Sequence, residues 1–222
     1  MSYKVVVFDF DGTVADTGMG VKNSVKYAVR AFGMQVGDES NLDYFIGPPL
    51  YEGFAHVYGV DEETSAKLVE IYRSYYNEKG IYELSPYKGI LSLMSKLHDR
   101  GITVAVASSK PNDYLQRAMD FIGAKKYCEF VIGPRMDNHN ADKSVLINSV
   151  LKNLGIKPEN YKDVLMVGDR FYDIEGAKKV GIDSCAVTYG YGTREELEAV
   201  NAPRIVDSVK ELANLFNIEI ND

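Results

Sequence analysis

Short apolar runs rich in β-branched residues recur along the chain, at Val5 to Phe8, Ile102 to Ala107, Phe130 to Ile132, Val164 to Val167 and Ser184 to Val187. None has a polar face, as expected for strands covered on both sides. The stretches between the later runs carry helical spacing instead. Leu91, Met94 and Leu97 recur at three-residue steps before Arg100-Gly101. Leu115, Ala118, Met119 and Ile122 close at Gly123, and Val145, Ile147, Val150, Leu151 and Leu154 close at Gly155. Strand and helix in alternation predict an α/β fold, a doubly wound parallel sheet wrapped by helices.

The segment from about Ala15 to Ser85 breaks that rhythm. It has no convincing strand and reads as several helices. Val21, Val25, Ala28, Val29 and Phe32 mark one apolar face ending at Gly33, and Leu68, Ile71, Tyr72, Tyr75 and Tyr76 mark another ending at Gly80. About 70 helical residues directly after the first strand are too many for a crossover. The expected organisation is a core of residues 1–14 and 86–222, interrupted by a small helical domain at 15–85. The Tyr72, Tyr75 and Tyr76 stretch suits the core of that domain better than a stacking platform.

Bulk properties narrow the partners. With 45% hydrophobic and 26% charged residues in 222, the composition is that of a globular protein. The formal net charge is −7 and no Lys/Arg cluster appears, which argues against a nucleic-acid surface. An anionic ligand would have to be drawn in by local charges or a metal. Cys128 and Cys185 lack a CxxC partner and read as two buried thiols. The N-terminal apolar run is too short for a signal peptide or a membrane span, so cytoplasm is the expected compartment and no membrane partner is expected. His56, His98 and His139 lack the spacing of a zinc site.

Chemistry-bearing residues gather where strands end. Asp9-Phe10-Asp11-Gly12-Thr13 follows the first strand, Ser108-Ser109-Lys110-Pro111 the second, and Gly168-Asp169-Arg170 with Asp173 the run at Val164 to Val167, while Lys143 opens a helix. Ligand sites of open parallel sheets lie outside the carboxyl ends of the strands, so these residues are expected to converge. Side chains two apart on a strand point the same way, which lets Asp9 and Asp11 share a cleft. Gly12 allows a tight turn and Thr13 adds a hydroxyl. Two acids ending an apolar strand are costly unless a cation or hydrogen bonds compensate them, although a solvated Asp-Gly turn has the same residues.

These motifs resemble the haloacid dehalogenase (HAD) superfamily in its phosphatase branch, with Asp9 to Thr13, Ser108, Lys143 and Gly168-Asp169 through Asp173 standing as its four motifs. The resemblance covers essentially the whole chain, and the helical insert looks like that superfamily's C1 cap on a Rossmann-like core. Phe45-Ile46-Gly47-Pro48-Pro49-Leu50 and Tyr189-Gly190-Tyr191-Gly192-Thr193 are similar to strings of the phosphoglycolate phosphatase-like group, which includes bacterial proteins described as 5′-nucleotidases.

The resemblance implies a phosphoric monoester hydrolase acting on a small phosphomonoester, with phosphoglycolate or a 5′-nucleotide leading. Asp9 would be the nucleophile that forms an aspartyl-phosphate. Asp11 would be the general acid and then the base, and dehalogenases and phosphonate hydrolases of the superfamily are expected to lack an acid there. Mg2+ suits an all-oxygen site, with Asp9 and Asp169 as carboxylate ligands and the Asp11 main-chain carbonyl as a third. Lys143 would face Asp9 and the phosphoryl oxygens, and Ser108 would bond a phosphate oxygen beside the helix starting at Pro111. Gly12, Thr13, Ser109 and Asp173 would support them. Asp173 would orient metal-bound water or Lys143, unless it is an ordinary acidic first-turn residue.

Substrate contacts are assigned to Gly47 and Pro48 in the insert, on a loop that a plain helix-joining turn also fits, and to Lys110, which a solvated lysine explains equally well. Cap closure over the cleft is expected to accompany catalysis. Lys22, Lys26 and Arg30 share a helix face that could meet an acidic leaving group, though a solvated face fits them better. Two rival activities stay open: a phosphosugar mutase resembling β-phosphoglucomutase, and a non-catalytic regulatory protein that binds a phospholigand.

Overall fold

The computed structural model describes residues 3–47, 49–136 and 142–220, so Pro48 and His139 lie outside the described residues. The chain divides into two compact units, Met1–Asp16 with Pro86–Asp222, and Thr17–Ser85. It opens with β1 (Val5–Phe8) and leaves the first unit through the two-residue β2 (Ala15–Asp16). The second unit holds α1 (Gly18–Ala31), α2 (Leu50–Tyr58) and α3 (Glu62–Glu78), with 3-10 turns between and after them. The chain returns through β3 (Ser85–Pro86) to α4 (Ile90–Asp99), β4 (Thr103–Ala107), α5 (Asn112–Phe121) and β5 (Phe130–Ile132). Then come α6 (Lys143–Asn153), β6 (Val164–Gly168), α7 (Phe171–Val180), β7 (Asp183–Val187), α8 (Arg194–Ala199), β8 (Ile205–Val206) and α9 (Val209–Asn214).

Six of the strands form one sheet in the order β5-β4-β1-β6-β7-β8, and every pairing in it is parallel. β1 lies in the middle, with Val6 opposite Val104 on one side and Leu165 on the other. All four of its residues are buried, as a strand covered on both faces requires. On one face Val5, Val7, Ala105, Ala107, Val164 and Met166 pack with Leu146, Ile147, Val150 and Leu151 of α6. Each such side chain removed from water stabilises the fold by about 1.5–3 kcal/mol. The chain crosses from β5 back past β1 to reach β6, so the strand order reverses beside β1 and opens a crevice at the carboxyl ends of β1, β4 and β6.

Several buried faces differ from those expected. In α4 the core-facing residues are Ile90, Leu93, Met94 and Leu97, with Leu91 only half-buried. In α6 Val145 is 62% exposed and Leu146 takes the core position. Phe32 is exposed, and Ile71 and Tyr75 are half-buried. Helices in this sheet present a stripe wider than one repeated three-residue step, and the step chosen decides which neighbour is assigned inward. α5 begins at Asn112, with Pro111 at its N-cap rather than in its first turn. The edge strand β8 was not anticipated, because two residues make no run. Cys185 is buried but Cys128 only half-buried, and burial pushes both thiols up to about 12.

Within the second unit, the rings of Tyr72 and Tyr76 are buried and stacked with centroids 5.4 Å apart, part of that unit's core. Lys22 pairs with Asp43 and Lys26 with Glu39, each at 2.5 Å. Both ammonium groups are therefore committed to acids of the 3-10 turn Glu39–Phe45. Gly47 is exposed, with φ of 110°.

Candidate active site

Parallel pairing carries the acids to one edge. The Asp9 amide donates to Val167 O at 2.8 Å, which continues the β1–β6 ladder one residue beyond Phe8 and brings Asp9 beside the loop that holds Asp169. Lys143 is the first residue of α6, whose N-cap Asp142 accepts from the Ser144 amide at 2.9 Å. Its stem lies along Gly176, where an added Cβ would stand 2.9 Å from Lys143 Cβ. The ammonium reaches Asp9 Oδ1 at 2.7 Å, Asp173 Oδ1 at 2.9 Å and the carbonyl of Ala107 at 3.1 Å. That carbonyl immediately precedes Ser108, so the end of β4 joins the same cluster.

Asp9, Asp169 and Asp173 each offer a carboxylate oxygen, and these atoms lie within 4.8 Å of one another. All three residues are buried. Asp169 accepts from the Tyr191 amide at 2.8 Å and from the Thr13 hydroxyl at 3.3 Å. Asp173 also accepts from the Arg170 amide at 3.1 Å, so it caps α7 and faces Lys143 at once. Gly12 has φ of 82°, and a Cβ there would stand 2.1 Å from Asp169 Oδ2. A left-handed turn and a close approach both demand glycine at that position.

The electrostatics follow from burial. Asp9 is pushed up to about 6, because desolvation outweighs the attraction of Lys143 and Asp173 adds repulsion. Asp169 rises well above the ordinary carboxylate range, through burial and then repulsion from Asp173 and Asp9. Burial alone would lower Lys143, but Asp173 and Asp9 outweigh it and hold the ammonium charged. With all three carboxylates ionised, one ammonium leaves two negative charges unbalanced inside the cluster, an excess that adds to burial in raising Asp9 and Asp169. An oxygen-only donor set with that excess suits a hard divalent cation such as Mg2+, and these residues fit one.

Asp11 is held separately. Lys110 Nζ bonds both of its carboxylate oxygens, at 2.8 and 3.1 Å, and little of the lysine side chain is exposed. Lys110 is thus an ion-pair partner of Asp11 rather than a solvated lysine. Ser108 is buried, three residues before the α5 N-cap Pro111, and its hydroxyl accepts from the Lys110 amide at 3.3 Å. Ser109 beside it is exposed. The structure therefore gathers Asp9, Lys143, Asp169 and Asp173 into one cluster, with Thr13 and Gly12 against Asp169, and joins Asp11 to the Lys110 side chain and Ser108 to the Lys110 amide. Gly47 belongs to the other unit.

Sequence reasoning passed over Gly176 and the loop Tyr189-Gly190-Tyr191-Gly192. In the sequence the loop is a string similar to a family's, and its glycine-flanked tyrosine just after a strand is a usable signal. Among the described residues, no helix is long and apolar enough to cross a membrane.

Residues 6–187 match the family described as haloacid dehalogenase-like hydrolase. A 5′-nucleotidase from Pseudomonas aeruginosa is 34% identical over 199 residues, covering 90% of this chain and 89% of that protein. A phosphoglycolate phosphatase from Vibrio parahaemolyticus is 29% identical, covering 97% and 96%. The crystal structure of a predicted phosphatase from Clostridium acetobutylicum superposes with a TM-score of 0.87 at 39% identity, covering 97% of this chain and 98% of the other.

Proposed function

This chain belongs to the haloacid dehalogenase-like hydrolase family and is a phosphoric monoester hydrolase, and from that premise we propose that it cleaves a small phosphomonoester with Mg2+ through a phosphorylated Asp9. The observation that carries the proposal is the pairing of Asp9 with Lys143 at 2.7 Å inside a buried cluster with Asp169 and Asp173. A carboxylate at the mouth of a parallel sheet, with an ammonium beside it and two further acids, is equipped to meet a phosphoryl group rather than merely to fill space.

In the first step an Asp9 oxygen bonds to phosphorus and the ester P–O bond breaks. Asp11 gives its proton to the departing alkoxide, so an alcohol leaves. In the second step water attacks phosphorus, Asp11 takes back a proton, and the bond to Asp9 breaks to release inorganic phosphate. Lys143 balances charge on Asp9 and on the phosphoryl oxygens, and Ser108 donates its hydroxyl to one of those oxygens. The Lys110 ion pair is made with Asp11 in its ionised form, the form that takes a proton from water in the second step. Asp9, Asp169 and the Asp11 main-chain carbonyl would hold the cation, with Asp173 next to them. Bound Mg2+ supplies the positive charge that lets an anionic nucleophile approach an anionic phosphoryl group.

We extend the proposal to the helical unit Thr17–Ser85 as a C1-type cap whose residues choose among leaving groups. Phosphoglycolate and 5′-nucleotides are the leading substrates, supported by what the two named relatives act on. The test is phosphate release from a panel of phosphomonoesters, with Mg2+ and with EDTA, for wild type and Asp9→Asn. Release that needs the cation and falls below a tenth in a folded Asp9→Asn protein supports the reading. Residual turnover above a tenth counts against Asp9 as nucleophile, and conversion of a sugar phosphate to its isomer would make the protein a mutase.

A further inference from the structure

Asp169 differs from its two neighbours in how its charge is met. Asp9 and Asp173 both touch the Lys143 ammonium, whereas among the described residues no lysine or arginine forms an ion pair with Asp169. Asp169 is fully buried, and what it has is the Tyr191 amide at 2.8 Å and the Thr13 hydroxyl at 3.3 Å. The orientation of this carboxylate therefore depends on a main-chain N–H in the loop after β7.

That loop is pinned to the segment following the first acid motif. The Tyr191 hydroxyl donates to Asp16 Oδ1 at 2.6 Å, and the Tyr189 hydroxyl donates to the carbonyl of Thr13 at 3.1 Å. The Tyr87 ring packs on Tyr189 with centroids 4.8 Å apart. The flanking glycines let the loop close on its target. A Cβ on Gly190 would stand 2.5 Å from Asp169 Oδ2, and one on Gly192 would stand 1.9 Å from the Asp169 carbonyl oxygen. Neither distance can be met by a residue with a side chain, so the loop is built around Asp169.

We propose that Tyr191 is a positioning residue for the cation site: its hydroxyl, anchored on Asp16, fixes the loop so that its own amide holds Asp169 in the orientation that accepts a divalent ion. The inference rests on the reading of Asp169 as a cation ligand given above. Outer partners of a metal ligand commonly contribute 10–100-fold in affinity. Tyr191→Phe keeps the amide and removes the hydroxyl that anchors the loop on Asp16, so a loss of roughly tenfold is expected, at the low end of that range.

The test uses Mn2+ as the probe, titrated into the full-length protein without substrate and followed by loss of the free-ion electron paramagnetic resonance signal. Tyr191→Phe and Asp16→Ala should each weaken Mn2+ binding roughly tenfold, the double variant should be no weaker than either, and Asp16→Asn should restore most of the affinity. Thermal melts of the metal-free proteins accompany the titrations, because a merely structural tyrosine would lower the melting temperature and leave the titration unmoved. Wild-type affinity in Tyr191→Phe, or losses that add in the double variant, would overturn the inference while leaving the cation reading intact. A wild-type protein that takes up no Mn2+ would overturn both.

Discussion

Lys143 Nζ donates to Asp9 Oδ1 at 2.7 Å across 134 positions of sequence, and the same ammonium stands 2.9 Å from Asp173. One cation thus serves two buried carboxylates, Asp9 directly after β1 and Asp173 in the first turn of α7. Lys143→Met should remove it and leave both acids uncompensated. Breaking a buried pair from one side costs about 3–5 kcal/mol, so urea denaturation of the metal-free variant should show a midpoint well below wild type. Phosphate release should fall at least a hundredfold. A variant as stable and as active as wild type would remove Lys143 from the account.

The Asp11–Lys110 pair makes a prediction about leaving groups. An alkoxide needs a proton as it departs, whereas p-nitrophenolate leaves readily without one. Asp11→Ala should therefore reduce turnover of an alkyl phosphate by roughly 10²–10⁴-fold. With p-nitrophenyl phosphate the first step should survive and the second should slow, giving a burst of one nitrophenolate per enzyme followed by a slow steady state. Lys110→Met should shift the same ratio in the same direction by a smaller factor. Equal losses of the first step on both substrates would contradict an acid–base role for Asp11.

The sheet was legible because its strands are buried on both faces and so read as unbroken apolar runs, from Val5 to Phe8 and from Val164 to Val167. Asp9 and Asp169 were legible for a related reason, since charged residues directly after such runs stand out against their surroundings, whereas Lys143 at the start of α6 was legible only in company with the other motifs. Leu146 and Ile90 were not, because a helix face read by a single repeat drifts by one residue, and only the sheet beneath decides which neighbour turns inward. Lys110 looked like a solvated lysine because its partner lies 99 positions away. Gly176 and Gly190 needed the structure, since what makes them glycines is a side chain that approaches them from elsewhere in the chain.

At the opposite end of β7, Asp183 is held by the Tyr3 hydroxyl, by Arg204 at 2.6 Å and by the Ser184 amide. Burial raises this carboxyl, but those bonds outweigh it and hold it below the usual carboxylate range. A group whose folded value is depressed contributes stability that is complete above its unfolded value, about 3.9, and disappears as the pH falls through the folded one. Asp183→Asn should therefore be less stable than wild type at neutral pH, and the two unfolding midpoints should converge as the pH is lowered below about 4. Parallel curves across that range would show that the cluster carries no such linkage.

The claim beneath all of this is that phosphorus becomes bonded to Asp9. Wild type and Asp11→Ala, mixed with Mg2+ and radiolabelled p-nitrophenyl phosphate and quenched in acid within one turnover, should yield protein-bound label that hydroxylamine removes. Peptide mapping should assign it to Asp9, with more label retained in Asp11→Ala and none in Asp9→Asn. Product formed at full rate with no label on the protein, or label on a residue other than Asp9, would contradict the mechanism.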